Sequence, residues 1–492
     1  MPTSRLPRII SIRFPLNKKI YINERTKIME TKEYIAELVK KSREAQKKLD
    51  GFTQEQVDAI CRVLAKVVYD NAEYLAKLAR DESRMGVYED KVAKCKGKAG
   101  IIWNSLKGKK SVGVIDEDEE SGLTLVARPI GVVAAIAPCT NPIVTPMCNC
   151  MFAIKGRNSI IISPHPRTKN CTKELLKLWD KALEGLGLPE NAIQVVDVEP
   201  KEGNDASAEL MKACDVVIAT GGMGVVKAAY SSGKPALGVG AGNVQCIVDR
   251  GVDIKTTVPK IIDGRKFDNG IICSGEQTIF APAEDYDAII KEAVAYGAFY
   301  VGDKETVDKF RKAIFPFDEK AGKCVMNKDL VGQSVQDVAK AAGVPVPEGT
   351  KVILLKADTY GKEDMLSKEK MCPVIATYAY DKFEDAVAMA TANLEFEGKG
   401  HSVSLHSNND EHIKYAGCKL PVSRVLINQI CSTMNGGAFA NSLTPTTTLG
   451  CGSWGNNSIS ENLSYKHLIN VLRIAKVKKG FTEAPTPEEI WG

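Results

Sequence analysis

Gly131-Val132-Val133-Ala134-Ala135-Ile136-Ala137-Pro138-Cys139-Thr140-Asn141-Pro142 reads as a short, wholly apolar strand that breaks at a proline into a small polar loop. A strand without apolar/polar alternation is buried on both faces, the condition of a parallel sheet covered by helices. The pattern repeats downstream. Ser159-Ile160-Ile161-Ile162-Ser163 runs into Pro164-His165-Pro166-Arg167, Ile193 to Asp197 follows, and Asp215 to Thr220 runs into Gly221-Gly222-Met223-Gly224. Helical stretches stand between them near residues 145–155, 168–186 and 205–213. Strands alternating with helices predict an α/β fold with a parallel, doubly wound sheet, and Leu123 to Ala127 reads as a further strand. Such sheets bind ligands beyond the carboxyl ends of their strands, so these three loops are the first candidates for a site.

Upstream, residues 32–49 predict a helix, and Thr53-Gln54-Glu55-Gln56 has the spacing of a capping box that opens a second. Downstream, a glycine-rich segment, Gly238-Val239-Gly240-Ala241-Gly242-Asn243, precedes a strand at Val244 to Val248. Glycines at alternate positions are expected where backbone passes close to a ligand or a reacting group. From Thr278 to about Leu443 a second α/β unit is expected, with strands near 351–355, 374–380, 403–406 and 424–427, and residues 482–492 read as an extended tail.

Composition narrows the function classes. Net charge is +5, and residues 1–29 carry +6 of it, which leaves the body near neutral and argues against a nucleic-acid binder. Arg13 interrupts the apolar run of that basic head, so it is no signal peptide; it reads as a disordered tail or, preferably, as an extension upstream of a working start at Met29. The longest apolar run is far short of a membrane span. Fourteen cysteines without a C-x-x-C pair, and five histidines, argue against a metal site or a disulfide framework and fit a reducing cytoplasm.

One cysteine stands out by its context. Phe267-Asp268-Asn269-Gly270-Ile271-Ile272-Cys273-Ser274-Gly275-Glu276-Gln277 places a thiol on a loop just before the strand Thr278 to Ala281, where a nucleophile can be presented to a carbonyl carbon. Its reactivity requires a positive field or backbone N–H donors that favour the thiolate.

Arg128-Pro129-Ile130-Gly131-Val132-Val133, Thr140-Asn141-Pro142, Ser163 to Arg167, Ala219-Thr220-Gly221-Gly222, Phe267 to Gln277, Glu369 to Val374 and Gly400-His401 together resemble the aldehyde dehydrogenase superfamily, over residues 30–480. Within it the chain looks most like the CoA-acylating branch. The stretches Met85 to Lys91, Ala228 to Gly233, Lys370 to Val374 and Thr446 to Glu461 are most similar to the members acting on succinate semialdehyde, with acetaldehyde or butyraldehyde as the alternative.

The resemblance implies a Rossmann-like NAD(P)-binding domain with N-terminal helices over 30–263, an α/β catalytic domain over 264–445, and a C-terminal segment over 446–492 used for packing and oligomerisation. It implies Cys273 as nucleophile, with Thr140 or Asn141 helping to hold the oxyanion, and Glu369 on the nicotinamide ribose. It also implies cofactor contacts from Ser163, His165, Arg167, Gly221, Gly222 and Gly224, and a role for His401 towards coenzyme A. The partners implied are a small aldehyde, coenzyme A and further copies of the chain.

Two readings rest on the residues themselves. The loop after Ser163 offers His165 and Arg167 and no carboxylate, which permits the phosphate of NADP as well as NAD. Residues 236–243 contain no carboxylate, where hydrolytic members carry a glutamate that activates water. A thiol ionises far more readily than water, so coenzyme A is the expected acyl acceptor.

Overall fold

The computed structural model describes residues 31–198 and 205–492; the expectations for residues 1–29 lie outside the described residues. Four helices open the described residues: α1 (Thr31–Leu49), α2 (Gln54–Asp70), α3 (Ala72–Ser83) and α4 (Tyr88–Leu106). The capping box at Thr53 forms as expected, with Thr53 Oγ1 accepting from Gln56 N–H and the Gln56 side chain accepting from Thr53 N–H.

A hairpin follows, β1 (Gly113–Asp118) and β2 (Leu123–Pro129), and then the first parallel sheet. Its elements are β3 (Val132–Ile136), α5 (Val144–Lys155), β4 (Ser159–Ser163), α6 (Lys169–Ala182), β5 (Ile193–Val195), α7 (Ala206–Ala213), β6 (Val216–Thr220), α8 (Met223–Tyr230) and β7 (Ala236–Val239). The strand order is β5-β4-β3-β6-β7, so the winding reverses between β3 and β6. The physical reason for the sheet is visible in its side chains. Val133, Ala135, Ile160 and Ile162 pack against α2, α4 and α5, while Val132, Ala134 and Ile161 pack against α1 and α7. Both faces are covered, so no polar alternation is tolerated.

The second sheet is also parallel, and seven-stranded. It begins with β8 (Gln245–Val248), α9 (Ile254–Lys266), β9 (Thr278–Pro282) and β10 (Ala298–Val301). After a short hairpin, β11 (Phe317–Asp318) and β12 (Lys323–Cys324), come β13 (Val352–Lys356), β14 (Val374–Tyr380), β15 (Val403–His406) and β16 (Val425–Ile427). Its order is β10-β13-β14-β9-β8-β15-β16. β17 (Ile469–Ala475) returns to pair antiparallel with β2, which makes a separate sheet in the order β1-β2-β17.

Three expectations change. The chain passes between the parallel sheets at residues 240–244 and not at 263/264, because β8 pairs with β9 and β15 and α9 packs in the second unit's core. The strand at Leu123 does not join the doubly wound sheet; most of its residues are only partly buried, and it pairs antiparallel. The tail is not wholly extended, since Pro487–Trp491 forms a short helix capped by Thr486.

Candidate active site

Cys273 lies between α9 and β9, on a loop held from three sides. Asp268 and Asn269 both take left-handed backbone, φ 51° and 53°, just before Gly270. For residues with a Cβ that conformation persists only when the surroundings impose it. Here Asp268 is fully buried: its carboxylate accepts from Val87 N–H at 2.9 Å, Lys91 Nζ at 3.1 Å and Lys94 Nζ at 2.6 Å. Burial pushes the Asp268 carboxyl up, but the two ammonium groups and these hydrogen bonds outweigh it and hold it below the ordinary carboxylate value. Further along, Ser274 Oγ donates to Ser432 O at 2.9 Å, and buried Glu276 accepts from Cys431 N–H at 2.6 Å.

The glycine-rich segment presses on the other side of the thiol. A Cβ on Gly242 would lie 1.8 Å from the carbonyl oxygen of Cys273. One on Gly240 would lie 2.9 Å from Met223 Sδ, and one on Gly238 would stand 3.0 Å from both Tyr230 and Val226. Gly242 is therefore required by close packing against the nucleophile's backbone, Gly238 is tight, and Gly240 meets only the movable end of exposed Met223; no side chain from this segment can reach the thiol through Gly242.

Cys273 opens on a pocket of about 320 Å³. Lys94, Lys98, Asn141, Phe267 and Thr446 are among the residues that share its wall. Asn141 is on this wall, whereas Thr140 lines only a small neighbouring cavity beside Lys91 and Cys95. Lys94 Nζ donates to Asn141 Oδ1 at 2.8 Å, which leaves the Asn141 amide hydrogens as the end able to donate. Of the two oxyanion candidates, Asn141 is the one that shares the pocket wall with the cysteine.

The thiol is not preset as a thiolate. Burial pushes Cys273 up to about 12, the neighbouring Glu369 charge adds to the rise, and Arg424 opposes it. Glu369 is itself raised to about 8 by burial and by the Glu397 charge, so it is mostly protonated at pH 7 and then repels a thiolate little. The Gly242 N–H opposes that rise, which sets the Glu369 carboxyl beside the same glycine segment.

The remaining sequence candidates fall in two places. Ser163, buried at the end of β4, pairs with Ser207 Oγ at 2.9 Å. His165 and Arg167 are exposed just beyond it, with Arg167 N–H donating to His165 Nδ1 at 3.1 Å. Gly221 follows β6 and Gly222 is the N-cap of α8. Gly224 lies inside the first turn of that helix, which starts at Met223. A Cβ on Gly222 or Gly224 would meet nothing within 4 Å, so open space lies over N–H groups that no helical carbonyl can take. With exposed Arg167 nearby in the sheet order, this edge fits the phosphates of a dinucleotide.

His401 is not part of this grouping. It is fully buried, neither ring nitrogen has a partner among the described residues, and it is not on the wall of the pocket. Burial, with Arg424 alongside, pushes its pKa down to about 3, so the ring is neutral and a poor proton acceptor where it stands.

Three residues escaped sequence reasoning. Lys94 and Lys98 sit one turn apart on α4, and with Lys91 they form a row at steps of three and four; that spacing marks one helix face and was the available signal. Arg424, nearly buried, donates to His401 O at 2.8 Å and Ser402 Oγ at 3.2 Å, and nothing local in its sequence announces it.

Comparison with known proteins matches residues 24–440 to the aldehyde dehydrogenase family. The chain is 57% identical to the succinate-semialdehyde dehydrogenase (acetylating) of Clostridium kluyveri, over 93% of this chain and 99% of that protein. It is 36% identical to the sulfoacetaldehyde dehydrogenase (acylating) of Bilophila wadsworthia, over 93% and 98%. Among solved structures it superposes on an acetylating aldehyde dehydrogenase from Geobacillus thermoglucosidasius with a TM-score of 0.86 at 34% identity, covering 93% of this chain and 98% of that one.

Proposed function

This chain belongs to the aldehyde dehydrogenase family, and from that membership we propose that it converts succinate semialdehyde, coenzyme A and NAD(P)+ reversibly into succinyl-CoA and NAD(P)H. The observation that supports the acylating half is the glycine segment against Cys273: it carries no carboxylate, and Gly242 admits no side chain. The substrate half rests on the likeness to the Clostridium kluyveri enzyme.

In this reading Cys273 Sγ loses its proton and adds to the aldehyde carbon from the pocket side. The new oxyanion accepts hydrogen bonds from the Cys273 N–H and the Asn141 amide. NAD(P)+ supplies the hydride acceptor, leaving a thioester on Cys273. The thiolate of coenzyme A attacks that carbonyl, and Cys273 leaves as thiolate with the acyl group transferred. Glu369, Gly221, Gly222 and Ser163 hold the nucleotide, and Arg167 with His165 faces its adenosine end. His401 acts at most by shaping the chain around Cys451 and Arg424. The division of labour is a nucleotide-binding unit to residue 240, a cysteine-bearing unit after it, and a β1-β2-β17 sheet whose exposed Val114, Leu472 and Ile474 suit contact with further copies of the chain in the cytoplasm.

The direct test is NAD(P)H formation from succinate semialdehyde with and without coenzyme A. Strict dependence on coenzyme A is expected. Turnover without it would mean that water finds a base, and Glu369 would be the first suspect. A second expectation concerns the nucleotide: Arg167→Ala should weaken NADP+ about tenfold or more, the scale of one charge-assisted hydrogen bond, and leave NAD+ nearly unchanged. Equal losses for both nucleotides would remove Arg167 from phosphate recognition.

A further inference from the structure

The pocket in front of Cys273 has two ammonium groups in its wall, Lys94 and Lys98, both from α4. They are not equivalent. Lys94 is committed to Asp268 at 2.6 Å and Asn141 at 2.8 Å. Among the described residues Lys98 has no carboxylate partner; its Nζ donates to the carbonyl of Gly436 at 2.9 Å and to no other group there. Around it the wall is largely apolar, with Ile101, Val144, Ile272 and Leu449. An ammonium has three donor hydrogens, so two remain for a ligand.

The surroundings keep that ammonium in place. A Cβ on Gly436 would fall 2.7 Å from Lys98 Nζ and 2.7 Å from Thr446 O, so the loop closes on the lysine only as glycine. Burial lowers the Lys98 pKa to about 8, and negative charge on Cys273 raises it, which places the two groups in each other's field across one pocket. A half-buried, uncompensated cation facing the nucleophile is costly unless its ligand brings the opposite charge.

We propose that Lys98 receives the distal carboxylate of the substrate while its aldehyde carbon lies at Cys273, and so selects ω-anionic aldehydes over neutral ones of the same length. This rests on the pocket being the aldehyde's, as argued above. Lys94, neutralised by Asp268, positions Asn141 and takes no part in this selection.

The test is steady-state kinetics with coenzyme A and NAD(P)+, comparing succinate semialdehyde with butyraldehyde in the wild type, Lys98→Met and Lys98→Arg. In Lys98→Met the ratio of kcat/KM for succinate semialdehyde over butyraldehyde should fall about 10- to 100-fold, mostly through KM, the scale of a hydrogen-bonded charge. Lys98→Arg should retain most of the ratio. In the wild type the ratio should decline as pH rises past about 8, where Lys98 gives up its proton, and Lys98→Arg should lack that decline. An unchanged ratio in Lys98→Met overturns the assignment of Lys98 alone. If that variant does not fold, a wild-type ratio that stays flat from pH 7 to 9 overturns it instead. A wild type that does not favour succinate semialdehyde at all removes the substrate reading, and the role of Lys98 with it.

Discussion

Cys273→Ala is expected to abolish NAD(P)H formation, by a factor on the order of 10⁴ or more, while the protein stays folded and binds nucleotide. The magnitude follows from the chemistry: every bond made or broken in the proposed sequence involves this sulfur, and no second thiol is placed to replace it. Cys451 and Cys431 are near enough to influence its ionisation, but both are fully buried and neither lines the pocket. The pH dependence is a finer check. Because burial holds the thiol up at about 12, the rate of acylation should climb through the neutral range and on to higher pH, with no plateau at pH 7. Single-turnover rates between pH 6 and 9 would show this; a rate already flat at pH 6 would mean that the thiolate is preformed, and that the field of Arg424 dominates over burial.

Asp268→Asn should be the most destabilising conservative change near the site. The carboxylate is fully buried and answers two lysines at once, so its removal leaves Lys91, itself 4% exposed, without a counter-charge. Losing one partner of such a buried group costs about 3–5 kcal/mol, a large share of a typical folding free energy of ~5–15 kcal/mol. Urea unfolding monitored by fluorescence would report the shift. The sign of the pH effect is fixed: the carboxyl is held below its ordinary value, so its contribution is present above the usual carboxylate range and is lost as pH falls through the depressed value. The variant should therefore lack part of the acid destabilisation seen in the wild type. Activity should fall further than stability explains, because Lys94 would no longer be anchored where it holds Asn141. A variant as stable as the wild type would show that the lysines relax to solvent.

Much of the architecture was legible because the first sheet is made of local units. The strands β3, β4 and β6 are each followed within a few residues by a helix, and the uninterrupted apolar runs at Val132 and Ile160 allow few alternatives. What could not be read are pairings that depend on distant partners. β17 meets β2 across some 340 residues, and β8 looks like any buried strand until β9 and β15 are in place to claim it. The site divides in the same way. Cys273, its loop and the tight glycines are contiguous motifs, whereas Lys98, Arg424 and Asn141 come together from α4, the second sheet and the β3 loop. His401 is a motif residue of another kind, one that is fully buried and lies off the pocket wall.

The crowding of Gly238, Gly240 and Gly242 also bears on what this protein can become. The three positions are not closed alike: a Cβ on Gly242 meets the backbone of Cys273 itself at 1.8 Å, one on Gly238 touches Tyr230 and Val226 at 3.0 Å, and one on Gly240 meets only the sulfur of the exposed Met223 side chain. A glutamate at 242 would have to displace the nucleophile's own main chain before it could touch a water molecule, whereas at 240 a flexible side chain can swing aside. Descent or design towards an acid-forming enzyme is therefore barred at the position pressed against the nucleophile and has its way in further back along the segment between β7 and β8.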